Sequence, residues 1–297
     1  MTATRWLQSI LPLLAAVTLL RGADPYVAGI EKWRAEREAR LKTDDGWLTV
    51  AGLFWLAEGD NMIGTSERDR VTLPSGAPAR FGVIRFGGGR THLTLHDGVE
   101  ALVNGKRLRT AELRSDAATS GEPDIVTWRD LSFFIIKRGD RYGVRLKDKN
   151  SEYRRNFQGL AWYPVKPEWR IIARFVPYAE PKKVVLDSLT GDKQEETSPG
   201  VVTFKVNGRE VRLEPTGPKD NLFFVFRDKT AGNSTYPAAR FLYSKVQTNG
   251  TVILDFNKAY NPPCAFTPYA TCPLPTPGNR LPFAIPAGEL KYKGGGH

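Results

Sequence analysis

The sequence predicts an all-β, mainly antiparallel protein: an N-terminal helix, a β-sandwich lobe, and a second sandwich- or barrel-like β lobe with a long proline-rich C-terminal loop. Three observations carry this prediction. From Trp47 onward, apolar residues recur with period two in short runs, the signature of half-buried strands. Asn104-Gly105 and Asn207-Gly208 separate such runs, and Asn-Gly supplies the two positive φ angles of a tight hairpin. The 28 glycines and 21 prolines, with no long Ala/Leu/Glu/Lys runs, favour strands joined by turns over helices. A chain of 297 residues, 41% hydrophobic and 25% charged, is ordinary for one or two folded domains and excludes global disorder.

Residues 1–22 read as a segment apart. Arg5 precedes an apolar run from Leu7 to Leu20, with small residues after it, which is the pattern of a secretory signal peptide. The run falls short of the roughly 20 residues that span a bilayer comfortably. The chain is therefore expected to be exported, periplasmic or extracellular, with an uncleaved N-terminal membrane anchor as the alternative. The formal charge is +11; losing Arg5 and Arg21, the only charges of residues 1–22, leaves about +9. The positive charges are scattered, without the clustered basic and aromatic pattern of a nucleic-acid surface, so no nucleic-acid partner is expected. Weak attraction to anionic cell-envelope components suits such a charge.

Residues 24–42 form the expected helix, with Asp24 as cap and Pro25 in the first turn. Tyr26, Ile30, Trp33 and Leu41 share a face, and Arg34/Glu38 and Glu36/Arg40 read as outward i,i+4 pairs. The N-terminal β-sandwich lobe is placed at 44–152. "KNSEYRRNFQGLAWYPVKPE" then breaks the alternation, and the C-terminal β lobe is placed at 160–292.

Little catalytic vocabulary is present. His92 and His96 lie together on one strand and His297 is terminal; none clusters with further ligands, so no metal is expected. No Walker loop or Rossmann glycine pattern occurs, and no cofactor is expected. Cys264 and Cys272, spaced C-x7-C in a chain expected to be exported, predict a disulfide with a scaffolding role.

Polar residues gather near the end of the second lobe. In "TVILDFN", Ile253, Asp255 and Asn257 share a face opposite Val252, Leu254 and Phe256, and Tyr260 and Asn261 follow. Upstream, Asp228 and Tyr236 lie in a polar loop and Arg240 opens the next strand. Convergence of Tyr236, Arg240, Asp255, Asn257, Tyr260 and Asn261 would hold a polyhydroxy or carboxylate ligand. Asp228 and Asp255 are the candidates for carboxylate acid–base work. The bland alternative is that these groups satisfy the loop's own backbone, with an Asp255–Arg240 ion pair as clamp.

"TYPAARFLY", "LDFNKAYNPPCAFTPYATCPLPTPGNRLPFAIPAGE", "NFQGLAWYPVKPEWRIIARFVPY" and "DDGWLTVAGLFWLAEGDNMIGTSERD" together resemble the DUF1684 family of bacterial and archaeal proteins. That family has no assigned function, so the resemblance implies neither substrate nor catalytic residues. "MIGTSERDRVTLP" followed by "ALVNGKRL" also resembles the strand and turn order of FHA-type sandwiches. Those domains read phosphothreonine through an Arg after the glycine and a Ser/His set. Here Thr65 follows Gly64 and no His stands in a matching loop, so the resemblance implies fold alone.

The reading that results is an exported protein binding a small polar or carbohydrate-like ligand in the cell envelope. The alternatives are a metal-independent hydrolase using Asp228 and Asp255, and a structural or protein-interaction module without a ligand.

Overall fold

A computed structural model describes residues 24–118 and 121–294. The segment read as a signal peptide lies outside them. The first lobe has eleven strands: β1 (Val50–Trp55), β2 (Gly59–Gly64), β3 (Val71–Thr72), β4 (Arg80–Gly87), β5 (Arg90–Leu95), β6 (Leu102–Val103), β7 (Lys106–Arg107), β8 (Thr110–Glu112), β9 (Val126–Trp128), β10 (Leu131–Arg138) and β11 (Arg141–Asp148). They form two sheets, β1-β11-β10-β9-β6-β7 and β3-β2-β4-β5-β8. Every pairing is antiparallel except β2 with β3. One apolar layer lies between the sheets, built from Phe81, Ile84 and Leu93 on one side and Phe133, Ile135, Val144 and Leu146 on the other. Burying each such side chain contributes roughly 1.5–3 kcal/mol. The alternation that fills this layer also turns Arg138, Arg141 and Arg145 to the opposite face of the β10–β11 hairpin, toward the second lobe.

The second lobe begins after a short connector helix, α2 (Glu152–Arg155), capped by Ser151. Its strands are β12 (Arg170–Asp187), β13 (Lys193–Val206), β14 (Arg209–Leu213), β15 (Leu222–Phe226), β16 (Arg240–Ser244) and β17 (Thr251–Asp255). They make a four-stranded sheet, β14-β13-β12-β17, and a β15-β16 ribbon, packed around Val202, Phe204, Leu213, Phe224, Phe226, Leu254 and Phe256. The fold is thus mainly antiparallel β with an N-terminal helix, as the alternation predicts. Both Asn-Gly hairpins adopt positive φ at both positions, 49° and 75° in the first and 51° and 77° in the second.

Two elements differ from the sequence expectation. The two apolar runs "WRIIARFVPY" and "KKVVLDS", each the length of an ordinary strand, belong to one long strand, β12, bent by an irregularity between Pro177 and Lys182. Its partner β13 begins at Lys193, seven residues before the apolar run, because "KQEETSP" pairs through its backbone while its side chains stay mostly polar and exposed. The two outer halves form an arm that projects beyond the sheet.

The helix α1 (Pro25–Leu41) packs on the second lobe through polar side chains as much as apolar ones. Arg34, expected outside, is buried; it pairs with Glu31 and donates to the Tyr163 carbonyl at 3.0 Å. Glu38, its expected partner, instead pairs with Lys42 and accepts from the Leu160 amide. Arg37 pairs with the fully buried Glu289 and donates to the Asn261 carbonyl.

Within the sandwich, Asp124 ties the β6–β7 turn to the strand ahead of β9. It accepts from the Asn104 amide at 2.7 Å, the Arg114 backbone N–H at 2.7 Å and the Arg114 guanidinium. Chiefly through the Arg114 guanidinium, its carboxyl is held down at about 2. A depressed folded-state pKa stabilises above the unfolded value and ceases to do so as pH falls through the folded one. Discounted for the exposed Arg114, Asp124→Asn is expected to cost about 1–2 kcal/mol at pH 7. The gap to wild type should close between about pH 4 and pH 2, as followed by urea unfolding at each pH.

Candidate functional site

The structure sorts the candidate residues into separate networks rather than one pocket. Arg240, at the start of β16, is 1% exposed, and its guanidinium pairs with Asp228 while donating to the carbonyls of Ile285 and Ala287. Asp228 also accepts from the backbone amides of Thr230 and Ile285 and from the Thr230 hydroxyl. The clamp expected between Asp255 and Arg240 is therefore made by Asp228, which the polar loop after β15 brings within reach. It holds residues 285–287 against the lobe.

Asp255 closes β17, and a 3-10 turn, Phe256–Lys258, ends the alternation there. Its Oδ1 accepts from the Tyr26 hydroxyl at 2.9 Å and from the Asn257 amide at 3.2 Å. Asn257 in turn donates to the Lys166 carbonyl and to Tyr26, and accepts from the Lys166 amide. Burial, with the Asp255 carboxylate beside it, raises the Tyr26 phenol well above its ordinary value. Asp228 and Asp255 thus sit in different buried networks and do not face each other across a cleft, which removes the geometry an acid–base pair requires. Asn261 donates to Glu289 at 2.9 Å and to the Leu290 carbonyl at 2.7 Å. Tyr236 donates to the Cys264 carbonyl. Among the candidates, Tyr260 and Asn261 reach a cavity wall.

Cys264 and Cys272 stand as free thiols, not as the expected disulfide. The Cys272 sulfur accepts from the Cys264 backbone N–H at 3.2 Å, and both side chains are buried beside Ala239 and Phe241. Burial pushes the Cys272 thiol well up, which keeps it protonated.

The other end of the proline-rich segment, Thr271 to Pro273, borders a cavity of about 1080 Å³ between the lobes. The β10–β11 hairpin supplies one wall, the arm of β12 and β13 another, and Trp47 and Phe241 a third. Arg145 enters from β11 and is 4% exposed. Its Nη2 donates to the Thr271 hydroxyl at 3.2 Å, Trp47 lies 5.1 Å from its guanidinium carbon, and its Nε has no partner. Arg138 donates to the same hydroxyl at 3.0 Å and is neutralised by Asp116 at 2.8 Å.

Arg34, Arg145 and Arg240 are the buried arginines among the described residues. Arg34 has Glu31 and Arg240 has Asp228, whereas no carboxylate forms an ion pair with Arg145. Burial, then Arg138, pushes the Arg145 guanidinium down to about 10, so it stays charged at neutral pH. Opposite, burial raises the Glu196 carboxyl while Arg138 lowers it. The arrangement presents a desolvated cation, two guanidiniums converging on one hydroxyl, and a facing carboxyl. Sequence reasoning passes over Arg145 because a charged residue alternating with Val144 and Leu146 reads as solvent-facing. The one available signal is the neighbouring Cys-bearing segment.

The family described as a protein of unknown function, DUF1684, matches residues 155–290. The chain belongs to the DUF1684 family. The matched region begins at the last residue of α2 and takes in β12 to β17 and the segment bordering the cleft. The solution NMR structure of an uncharacterized protein of Haloarcula marismortui is 31% identical, covering 46% of this chain and 78% of that one, at a TM-score of 0.39. FHA domains also match: one from a study of phosphothreonine-dependent FHA interactions is 19% identical over 32% of this chain and 92% of its own, with a TM-score of 0.22. The FhaA FHA domain is 19% identical over 32% of this chain and 97% of its own, again at 0.22. No curated protein matches the chain.

The separate networks make a prediction for this DUF1684 protein. Asp228→Ala leaves Arg240 charged and buried, and is expected to cost about 3–5 kcal/mol. Asp255→Asn keeps an oxygen for Tyr26 and is expected to cost only about 1 kcal/mol. Urea unfolding of the two variants checks the order; equal losses would mean that the two carboxylates carry comparable loads.

Proposed function

We propose that the protein binds a small polar organic anion, of the kind an acidic sugar represents, in the cleft between its lobes, and that it does so outside the cytoplasm. The observation that carries the reading is Arg145, a buried guanidinium without a carboxylate partner among the described residues, lining a cavity of about 1080 Å³. A desolvated charge costs several kcal/mol unless an opposite charge and hydrogen bonds compensate it. A ligand carboxylate or phosphate would meet both of its unmet needs, and planar guanidinium donors match such groups bidentately. Thr271, already accepting from two arginines, has its own hydroxyl proton left to donate. Cavities of about 300–1,000 Å³ hold small molecules, so this one has room for more than a bare ion. Export rests on the signal-peptide pattern of residues 1–22, and its test is the N-terminal sequence of mature protein recovered outside the cytoplasm, expected near Gly22 or Ala23.

Arg145→Met tests the site. Replacing an uncompensated buried charge by an apolar side chain is neutral or stabilising, so without added anion this variant should melt at or above the wild-type temperature. Glucuronate or phosphate should raise the wild-type melting temperature, by about 2–4 °C for each kcal/mol of binding energy, while glucose does not. Arg145→Met should show no such rise. A variant that melts well below wild type, with wild type indifferent to anions, makes Arg145 a structural residue and removes the reading.

A further inference from the structure

The interlobe cleft does not end at Trp47. Trp47, Phe241 and Pro263 also line a second cavity of about 290 Å³. That cavity shares Tyr243, Tyr260 and Arg37 with a third, of about 300 Å³, running along helix α1. The three cavities follow one another through shared lining residues, with aromatic rings between Arg145 at one end and Arg40 and Lys258 at the other. Tyr243 is 50% exposed and stacks on its cross-strand neighbour Phe223, centroids 4.8 Å apart at 25°. Tyr260 continues the same orientation, 6.5 Å from Tyr243 at 18°. An exposed tyrosine whose ring orientation is fixed by two near-parallel neighbours is a platform rather than a core residue.

The far end is basic. Arg40 and Lys258 line the third cavity, and among the described residues neither forms an ion pair with a carboxylate. Arg37, between them and the platform, has its charge taken up by Glu289 and lies 4.2 Å over the Tyr260 ring. We propose that the groove from Arg145 to Lys258 binds an extended acidic oligosaccharide, one uronate carboxylate meeting Arg145, sugar faces lying on Tyr243, and a later carboxylate meeting Arg40 and Lys258.

This rests on the cleft reading above and adds the length and class of the ligand. Charge complementarity favours an anionic chain, since Arg145 at one end and Arg40 and Lys258 at the other form no ion pair with a carboxylate among the described residues. Stacked tyrosines favour the flat, weakly apolar face of a sugar ring. Glu196, which borders the cleft and acts electrostatically on Tyr243, is an acceptor for ligand hydroxyls, which a sugar chain supplies and a polyglutamate does not.

Calorimetric titration of the full chain with tetragalacturonate, galacturonate, maltotetraose and tetraglutamate tests the inference. Tetragalacturonate is expected to bind at least about tenfold more tightly than galacturonate, and maltotetraose and tetraglutamate far more weakly. Tyr243→Ala, a surface change, should erase that advantage while leaving galacturonate binding intact, and Tyr243→Phe should restore it. The Arg40→Ala/Lys258→Ala pair should weaken tetragalacturonate and flatten its salt dependence. The inference is overturned if the tetramer binds no better than the monomer, if Tyr243→Ala leaves its affinity unchanged, or if maltotetraose or tetraglutamate binds as well. If galacturonate itself fails to bind, or binds Arg145→Met as well as wild type, the cleft reading fails and the extension falls with it.

Discussion

Arg240 has no water to turn to. Its guanidinium is enclosed by Asp228 and by the carbonyls of Ile285 and Ala287, so the charge is met only if residues 285–287 run through that position. Breaking one side of such a pair costs more than the pair contributes, which makes the path of the C-terminal segment a strict condition of folding. Once that path is set, Glu289 meets Arg37 of the helix, and Asn261 is held between Glu289 and the Leu290 carbonyl. Eight prolines between Asn261 and Leu290 reinforce the same route, because they narrow what the unfolded chain samples. The helix, the loop and the end of the chain are one ionic assembly on the second lobe.

That assembly delivers residues 263–274 to the junction of the two lobes, where a single stretch is hydrogen-bonded to both. Thr267 donates to the Val50 carbonyl, and the Thr271 hydroxyl accepts from Arg138 and Arg145, all three on the sandwich. On the other side, Gln194 donates to the Thr271 carbonyl, Leu189 to the Cys272 carbonyl, and Leu274 to that of Asp187. The Arg141–Asp192 pair adds a direct tie between the β10–β11 hairpin and the arm. Moving one lobe away from the other would break most of these bonds together. The cleft is consequently a preformed cavity, and a ligand entering it would give up little in reorganising the protein.

How much of this was legible in the sequence follows from what alternation can encode. Strands with one buried face, such as "LSFFIIKRG" and "TVILDFN", show themselves because Phe133, Ile135, Val252 and Leu254 must alternate. The "KQEETSP" half of β13 does not, since most of its side chains face solvent, and with it went a wall of the cleft. The proline-rich segment was conspicuous, but residue type alone could not separate its bracing end from its cleft end. Asp255, Asn257 and Asn261 stand out in the sequence as polar residues near a strand end, and that polarity serves Tyr26, Lys166 and Glu289. The helix misled for a related reason: Arg34 and Glu38 at spacing i,i+4 read as a surface pair, whereas each answers a backbone group from the connector, the Tyr163 carbonyl and the Leu160 amide. Long-range partners of charged residues are set by tertiary contacts that no local period records.

The buried arginines show why one position stands apart. Arg34 and Arg240 each leave Nε without a partner, as Arg145 does, so an unpaired guanidinium nitrogen is tolerated in this fold. What distinguishes Arg145 is the missing carboxylate, with Asp116 close enough to act on it yet engaged by Arg138. Two opposite charges about 4 Å apart gain roughly 4 kcal/mol at the effective dielectric of a protein site, against roughly 1 in water. The Trp47 ring and the enclosing walls hold Arg145 in the first regime rather than the second. Burial that makes this cation costly without a counter-charge is therefore the same burial that would make an arriving carboxylate worth binding, and a protein-borne carboxylate at this position would cancel both effects.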